Sequence, residues 1–353
     1  MLARSTLTWA CAAMIGIYCT ACGRDAPARS EAMDAKPGTF LARTNLGERL
    51  VWPDGFDATR IHGTLGYSPN GRWLAFELLS GDIGVLDLAT GALRTFAGDY
   101  GPSNRTYGNP CWASPDALVV RENWYTPEQA AGLELDPPVI SSGWAIRVVD
   151  VQDGATLLSR ESIGPAPEVV VIGHVDGDQW LALQQGLPPK IRGYTLESDS
   201  LGEVLAMLPD SGQEEYLLSP WCAPWLLKVA GLLDEFGAPL PQGAPVQLQC
   251  TSVTTGVTKV VAGFPRPGPY GVLVSSDGTW VCSSYYDENG GSIPVVVNVD
   301  SGHRIDLPDE SWVPVALSEV RGVLLVLLLT DPDGDGAWRG RSWYEVPLQS
   351  LLN

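Results

Sequence analysis

The chain has 353 residues and is acidic: 22 Lys and Arg residues stand against 41 Asp and Glu residues, which gives a formal net charge of -19. A surface of this charge repels polyanions, so the composition argues against binding to nucleic acids or anionic membranes. The 39 Gly and 28 Pro residues indicate many turns, and no long segment has sustained helical periodicity. The composition therefore favours an all-β protein.

Residues 1–21 predict a signal peptide. A basic start precedes an apolar stretch from Leu7 to Tyr18, and small residues come before Cys22. The four residues that end at Cys22 resemble the lipobox of bacterial lipoproteins, with Cys19 where Leu is common. The resemblance implies lipidation of Cys22 and export to the cell envelope. Gly23 then favours the outer membrane, facing the periplasm.

Two alternatives stay open for this segment, namely ordinary signal-peptidase cleavage and an uncleaved anchor helix. The anchor is disfavoured because the uncharged stretch between Arg4 and Arg24 is barely long enough to span a membrane. Residues 22–38 predict a polar tether, and residues 39–353 predict one folded domain.

The first predicted strands surround a turn at Ser68-Pro69-Asn70-Gly71. Pro presets φ at the second turn position, and Gly accepts a positive φ at the fourth. A strand is expected before this turn, and the apolar run from Trp73 to Phe76 predicts another after it. Two more strands are expected on either side of a turn that ends at Gly91. Four antiparallel strands therefore occupy fewer than about forty residues.

The same unit occurs six times along the chain, with its turns near residues 68, 114, 176, 219, 275 and 318. This spacing is typical of repeats that each form one four-stranded sheet. A large apolar residue falls at nearly the same place after the turn in four copies, at Trp73, Trp180, Trp225 and Trp280. We predict a six-bladed β-propeller whose repeated tryptophans lie in the core between blades.

The repeat resembles that of TolB-type six-bladed β-propellers, most closely over residues 67–96, where "SPNGRWLAF" is followed by "LDLATGALRTF". The resemblance covers roughly residues 40–350 and implies the fold only, because the chain has no room for the extra amino-terminal domain of TolB. Propellers of this type also cap prolyl oligopeptidase-like enzymes. Those enzymes need a Gly-x-Ser-x-Gly motif, which this sequence lacks.

The last copy offers only three strands, whereas Phe40 to Val51 has strand character and no sheet of its own. Pairing this segment with the last blade would remove two exposed sheet edges. We therefore predict that the amino-terminal strand closes the ring.

The cysteines predict one disulfide. Cys222 opens a predicted strand and Cys250 closes the next one, so antiparallel pairing would bring them together. Cys111 and Cys282 belong to blades on opposite sides of the ring and are expected to stay unpaired.

Asp331, Asp333 and Asp335 alternate before Gly336, as in the first half of a calcium-binding loop. The second half does not fit, because the twelfth position is Ser342 rather than a carboxylate. An acidic hairpin loop is therefore the favoured interpretation, and calcium is the alternative. No other cofactor is expected.

Two insertions depart from the repeat, at residues 124–143 and 231–243, and both join the second and third strands of a blade. Loops on a rigid scaffold commonly carry recognition. Only three histidines are present, at different offsets in their repeats, which disfavours a metal-centred channel. The sequence favours a monomeric, non-enzymatic envelope lipoprotein that binds a protein, peptide or glycan. A hydrolase or lyase acting on a polysaccharide or lactone in the channel is the alternative.

Overall fold

Most of the chain from residue 47 onward is described by the computed structural model. The described residues are 47–96, 106–124, 143–163, 169–184, 188–208, 214–217, 224–234, 236–241, 243–267, 272–286, 292–307, 312–330 and 340–351. They form six antiparallel sheets of four strands each. In this part of the chain, no helix is long and apolar enough to cross a membrane.

The first three complete sheets, blades 1 to 3, each consist of four consecutive strands. Blade 1 contains β2 (Ile61–Tyr67), β3 (Trp73–Leu78), β4 (Ile83–Asp87) and β5 (Leu93–Phe96). Blade 2 contains β6 (Thr106–Ser114), β7 (Ala117–Trp124), β8 (Gly143–Asp150) and β9 (Thr156–Ile163). Blade 3 contains β10 (Val169–Asp176), β11 (Gln179–Gln184), β12 (Lys190–Thr195) and β13 (Ser200–Met207).

Blades 4 to 6 complete the ring. Blade 4 contains β14 (Glu214–Leu217), β15 (Trp225–Ala230), β16 (Pro245–Ser252) and β17 (Thr258–Pro265). Blade 5 contains β18 (Leu273–Val274), β19 (Trp280–Tyr286), β20 (Ser292–Asn298) and β21 (Arg304–Asp306). Blade 6 contains β22 (Trp312–Ser318), β23 (Val323–Thr330) and β24 (Gly340–Pro347), with β1 (Glu48–Arg49) as its fourth strand. Two 3-10 turns, Ala58–Arg60 and Leu348–Leu351, flank these strands.

The pairing of β1 with β24 confirms the predicted ring closure. Glu48 pairs with Glu345 and Arg49 with Tyr344 in antiparallel register. The amide of Leu50 then donates a 2.9 Å hydrogen bond to the carbonyl of Trp343. The last blade thus takes its outer strand from the start of the domain, and the protein is a six-bladed β-propeller.

The turn between the first two strands of blade 1 has the geometry that its sequence predicts. The Gly71 amide donates a 2.8 Å hydrogen bond to the Ser68 carbonyl, and Gly71 has a φ of 70°. The Ser68 hydroxyl also accepts a 2.9 Å hydrogen bond from the amide of Trp73. Blade 5 repeats this arrangement, where the Ser275 hydroxyl accepts a 2.8 Å bond from the amide of Trp280.

Six clusters of buried side chains fill the six interfaces between blades. The interface between blades 3 and 4 has the smallest of these clusters, with Leu181, Ile191 and Leu226 as its buried members. Each sheet buries both faces against its neighbours, so the sequences of many strands are nearly continuous runs of apolar residues.

All four repeated tryptophans lie in the predicted inter-blade core, with side chains at most 8 % exposed. Trp73, Trp225 and Trp280 each begin the second strand of their blade. Trp180 is instead the second residue of β11. Side chains alternate between the two faces of a strand, so Trp180 points the other way and packs against blade 2 rather than blade 4.

The ring has two distinct faces. First strands of neighbouring blades contact one another, for example β2 and β22, so they lie nearest the axis. We call "turn face" the face that carries the connections between first and second strands and between third and fourth strands. We call "loop face" the opposite face, which carries the remaining connections. Both predicted insertions join second to third strands, at β7 to β8 and at β15 to β16, and therefore share the loop face.

Candidate binding site on the loop face

The insertion of blade 4, residues 231–243, forms a hairpin that we call the blade 4 hairpin. Leu233 pairs with Pro239 in an isolated antiparallel bridge. Beneath this bridge, the Leu240 amide donates a 2.8 Å hydrogen bond to the Leu232 carbonyl. The hairpin thus extends the strand pair of β15 and β16 beyond the sheet. Of the other predicted insertion, residues 125–142 lie outside the described residues.

Asp234 organises the tip of the blade 4 hairpin. Its carboxylate oxygen Oδ1 accepts hydrogen bonds from the amides of Phe236, at 2.9 Å, and Ala238, at 2.8 Å. The Gly237 amide donates to the Asp234 carbonyl at 3.0 Å, and the φ of Gly237 is 80°. Aspartate satisfies turn amides in this way, and glycine accepts the left-handed conformation without strain. The tip is therefore fixed by its own backbone hydrogen bonds.

Phe236 projects from this tip into solvent with 86 % of its side chain exposed. Large aromatic side chains normally bury most of their surface, and exposed ones are enriched where proteins bind partners. Ala238 and Pro239 beside it are also exposed, so Phe236 has apolar neighbours on one side of the tip. The hairpin therefore displays an aromatic side chain on a backbone that is already ordered.

The base of the hairpin is anchored in the core between blades 4 and 5. Leu232 is buried, and Leu240 packs against the same cluster. Gly243 lies directly over the ring of Tyr285, because a Cβ atom placed on it would come within 2.6 Å of Tyr285 Cδ2. The Tyr285 hydroxyl in turn accepts a 3.0 Å hydrogen bond from Arg304. These contacts anchor the base of the hairpin to blades 4 and 5.

A second polar feature is an ion-pair network across the sheet of blade 2. Arg147 donates from Nε to Glu122 at 2.7 Å and from Nη2 to Glu161 at 2.7 Å. Its Nη1 also reaches the Ser159 hydroxyl at 3.3 Å. The Glu122 side chain is only 1 % exposed, so its charge requires a close cation. The network fixes strands β7, β8 and β9 to one another.

The inner strands carry few ionisable groups near the channel. His62 pairs with Glu77 across β2 and β3 at the loop face of blade 1. Glu214 lies in blade 4, which is opposite blade 1 in the ring, and forms an ion pair with Lys228 at 3.1 Å. His174 lies towards the turn face of blade 3, where Nε2 is 2.9 Å from the Gly177 carbonyl. Among the described residues, His62 and His174 therefore lie towards opposite ends of the channel, and His62 and Glu214 lie on opposite sides of it.

His303 lies apart from the channel, in the turn between β20 and β21. Within the described residues, no group of three His, Cys, Asp or Glu side chains is placed to hold a metal ion. The predicted calcium ligands Asp331, Asp333 and Asp335 fall in residues 331–339, outside the described residues. Calcium binding there stays a prediction.

Only some of the cysteines named in the sequence predictions lie among the described residues. Cys22 and Cys222 lie outside the described residues, so lipidation and the disulfide stay predictions. Cys250 lies on β16 as a buried free thiol, and burial raises its pKa to about 12. Cys111 and Cys282 lie in blades 2 and 5, on opposite sides of the ring as predicted, and are buried free thiols.

No protein-family model matches the chain, and no curated protein sequence is similar to it. Solved structures share its architecture. An oligogalacturonate lyase in complex with manganese is 12% identical, with 83% of this chain and 78% of that chain covered and a TM-score of 0.50. An oligogalacturonate lyase from Vibrio parahaemolyticus is 12% identical, with 80% of this chain and 77% of that chain covered and a TM-score of 0.49.

A putative TolB from Agrobacterium tumefaciens is 16% identical, with 70% of this chain and 80% of that chain covered and a TM-score of 0.41. At these identities the likeness concerns the fold alone.

Proposed function

We propose that this protein is a lipid-anchored propeller of the bacterial cell envelope that binds a partner protein through its loop face and catalyses no reaction. The observation that carries the proposal is Phe236, which is 86 % exposed at the tip of a hydrogen-bonded hairpin. Aromatic side chains that are held in place before binding lose little conformational entropy, which makes them effective anchors at interfaces.

The course of the chain supports an outward orientation of the loop face. β1 runs antiparallel to β24, and Gly47 lies beside Glu345 and Pro347, where β24 reaches the turn face. The described chain therefore begins at the turn face. The predicted tether, residues 22–38, would span roughly 20 to 25 Å as a flexible coil of about 17 residues. With a lipid on Cys22, this tether would hold the turn face near the membrane and direct the blade 4 hairpin away from it.

Binding is favoured over catalysis by the described inner strands. Enzymes need acid, base or metal-ligating groups within reach of one reacting atom. His62 and Glu214 lie in opposite blades, and His174 is towards the other face. The carboxylates of the blade 2 network are committed to Arg147. These positions suit a scaffold better than a catalytic centre.

The test compares Phe236→Ser with Val257→Ser in the lipidated protein. Val257 is 53% exposed in the same blade but on the turn face, so it is a matched control. Both proteins should be expressed in cells and cross-linked to their neighbours, with the captured proteins quantified by mass spectrometry. We expect Phe236→Ser to reduce recovery of a specific partner at least about tenfold, as for an interface hot spot. Val257→Ser should leave it unchanged.

Both substitutions replace exposed side chains, so each should change the free energy of unfolding by less than about 0.5 kcal/mol. Equal recovery of the partner with both variants would contradict binding through the hairpin. Capture of a glycan rather than a protein would retain the site but overturn the proposed class of partner.

The alternative is a hydrolase or lyase acting on a polysaccharide in the channel, and the lyase of similar fold suggests the first substrate to test. The assay incubates the protein with oligogalacturonate and Mn²⁺ and follows unsaturated products by ultraviolet absorbance. Turnover that withstands purification to homogeneity would replace the binding proposal with an enzymatic one. We expect none.

A further inference from the structure

A cleft of about 240 Å³ opens on the turn face between blades 1 and 2, on the side of the ring opposite to the blade 4 hairpin. Its blade 1 wall includes Arg72, Asp87, Thr90 and Arg94, and Gln152 of blade 2 closes it from the other side. The lining thus combines two guanidinium groups with one carboxylate, in a chain whose formal charge is -19. None of the sites considered above includes these residues.

The guanidinium of Arg72 is held in a fixed orientation. Its Nη2 donates to Asp87 at 3.0 Å, and its central carbon lies 4.4 Å from the centre of the Trp73 ring. The Arg72 side chain is 43% exposed, whereas the Asp87 side chain is 6% exposed. An arginine has five N–H donors, so this ion pair leaves most of them available to a ligand. Stacking on an indole further restrains the group.

Asp87 is fully occupied by its own partners. Besides Arg72, it accepts a 2.9 Å hydrogen bond from the Ala89 amide through Oδ1. Burial alone would raise the pKa of Asp87, but the hydrogen bonds from Arg72 and Ala89 lower it below its ordinary value. Asp87 is therefore ionised at neutral pH and neutralises one of the two arginines.

Arg94 supplies a cation that has no counterion among the described residues. It pairs with Val85 across β4 and β5, which places its side chain on the face that Val85 presents to blade 2. The side chain is exposed, and it makes no hydrogen bond or ion pair with any of the described residues. The side chains that line the cleft carry a formal charge of +1, counting two arginines against one aspartate, and the Asp116 carboxylate lies beside them, where it accepts the Trp73 indole N–H and faces Arg72.

We propose that this cleft binds a small soluble molecule that carries a phosphate or carboxylate group, with Arg72 and Arg94 sharing the oxyanion. Guanidinium groups match both oxyanions through paired, charge-assisted hydrogen bonds. The Gln152 side-chain amide lines the same cleft and suits the hydroxyl groups of a sugar-sized ligand, whereas the Thr90 hydroxyl is already hydrogen-bonded to Asp87. The volume accommodates one such unit, and the acidic protein surface disfavours approach to an anionic bilayer.

The test measures binding of glucose 6-phosphate to the full chain in detergent by isothermal titration calorimetry, with glucose as the uncharged comparison. We expect a dissociation constant in roughly the millimolar range or tighter for the phosphate and no heat for glucose. Arg94→Gln should weaken binding at least about tenfold, because it removes the free cation. Arg49→Gln is the matched control, since Arg49 is an exposed arginine on β1 in another blade.

Three outcomes would overturn the proposal: no binding of glucose 6-phosphate, an equal loss in Arg94→Gln and Arg49→Gln, or binding only to phosphatidylglycerol vesicles. Circular dichroism of both variants confirms that the fold is intact, which is expected because neither arginine is buried. Cross-linking of the Phe236 partner is unaffected by these variants, so this site and the loop face are tested separately.

Discussion

Arg321 and Glu345 form a bidentate ion pair in blade 6, next to the pairing of β1 with β24 that closes the ring. Arg321 donates from Nε to Oε1 at 3.1 Å and from Nη2 to Oε2 at 2.8 Å. Both residues belong to blade 6, and Tyr67 of blade 1 donates its hydroxyl to the same carboxylate at 2.9 Å. Burial, together with the charge of Glu345, raises the pKa of Tyr67, so its hydroxyl remains a donor. One carboxylate thus joins the first and last complete blades.

Removal of that carboxylate should weaken the closed ring. Glu345→Ala leaves Arg321 and the buried Tyr67 hydroxyl without their acceptor, and we expect a loss of roughly 2 to 4 kcal/mol in the free energy of unfolding. Tyr67→Phe removes only one hydrogen bond and should cost about 1 kcal/mol. Urea denaturation of both single variants and the double variant gives the coupling energy. Strictly additive losses would show that the two residues act independently.

Strand β1 provides a second test of ring closure. Leu50→Pro removes the amide that donates to Trp343 and should destabilise the protein by roughly 2 to 3 kcal/mol more than Leu50→Ala. The alanine variant is the control, because it loses the same side-chain contacts but keeps the amide. Thermal melting of the two variants measures the difference. Coincident melting curves would mean that β1 contributes little to holding blade 6.

The turns and the ring were predictable because they depend on local chemistry. The Ser68 turn sets a hydroxyl, a proline and a glycine at fixed offsets, and the Ser275 turn repeats the offsets of the hydroxyl and the glycine. Counting such turns gave six blades, and the strand left over before residue 51 had only the last sheet to join. The number of blades and the pairing of β1 therefore followed from the sequence.

The position of a residue within its strand, and therefore the blade against which its side chain packs, was less predictable. In blade 3 the turn is built from Asp176 and Gly177, and Trp180 enters β11 one residue later than the other three tryptophans enter their strands. A shift of one residue reverses the direction of a side chain, and nothing in the local sequence marks it. The exposure of Phe236 likewise depends on three-dimensional placement, although its position between acidic residues and a glycine in an insertion was a usable signal.

The predicted disulfide can be tested by counting the cysteines that react with a thiol reagent. Burial raises the pKa of Cys111 to about 12 and raises that of Cys282 as well, and both side chains are at most 2% exposed. We expect no reaction of the native protein with a thiol reagent at about pH 8. In denaturant without reductant, the predicted disulfide between Cys222 and Cys250 should leave only two reactive thiols in the lipidated chain, and reduction should give four. Four reactive thiols before reduction would contradict the disulfide.

Glu319 should make stability depend on pH. Its carboxylate accepts hydrogen bonds from the Ser276 amide and hydroxyl across the interface of blades 5 and 6. Burial, with a smaller effect of the Asp277 charge, raises the pKa of Glu319 above its ordinary value of 4.5. The folded state therefore favours the protonated form. This contribution to stability is complete below the ordinary pKa and is lost as the pH rises through the raised value.

The measurement compares urea denaturation of the wild type and Glu319→Gln between about pH 4 and pH 7. The glutamine side chain cannot ionise, so the stability of the variant relative to the wild type should increase as the pH rises through this window. A difference that stays constant with pH would show that the Glu319 pKa is not raised. Asp300→Asn is a control, because Asp300 is an exposed carboxylate in blade 5.

Alanine substitutions at two glycines of blade 5 should distinguish the cost of backbone strain from the cost of a steric clash. Gly278 and Gly302 have positive φ values of 67° and 69°. A Cβ atom on Gly302 would meet no atom within 4 Å, whereas one on Gly278 would lie 2.4 Å from Cζ2 of Trp225. The Trp225 indole is held by a 2.8 Å hydrogen bond to the Ser276 carbonyl, so it cannot move away without breaking that bond.

We expect Gly302→Ala to reduce the free energy of unfolding by roughly 1 to 2 kcal/mol, which is the cost of a left-handed conformation for alanine. Gly278→Ala should reduce the free energy of unfolding by the same amount plus roughly 1 to 3 kcal/mol, because the added methyl group overpacks the interface of blades 4 and 5. Replacing Trp225 with Leu in the Gly278→Ala background should recover part of the second loss by providing space for the methyl group. Equal losses for the two alanine variants, measured by urea denaturation, would show that Trp225 does not press on the Gly278 turn.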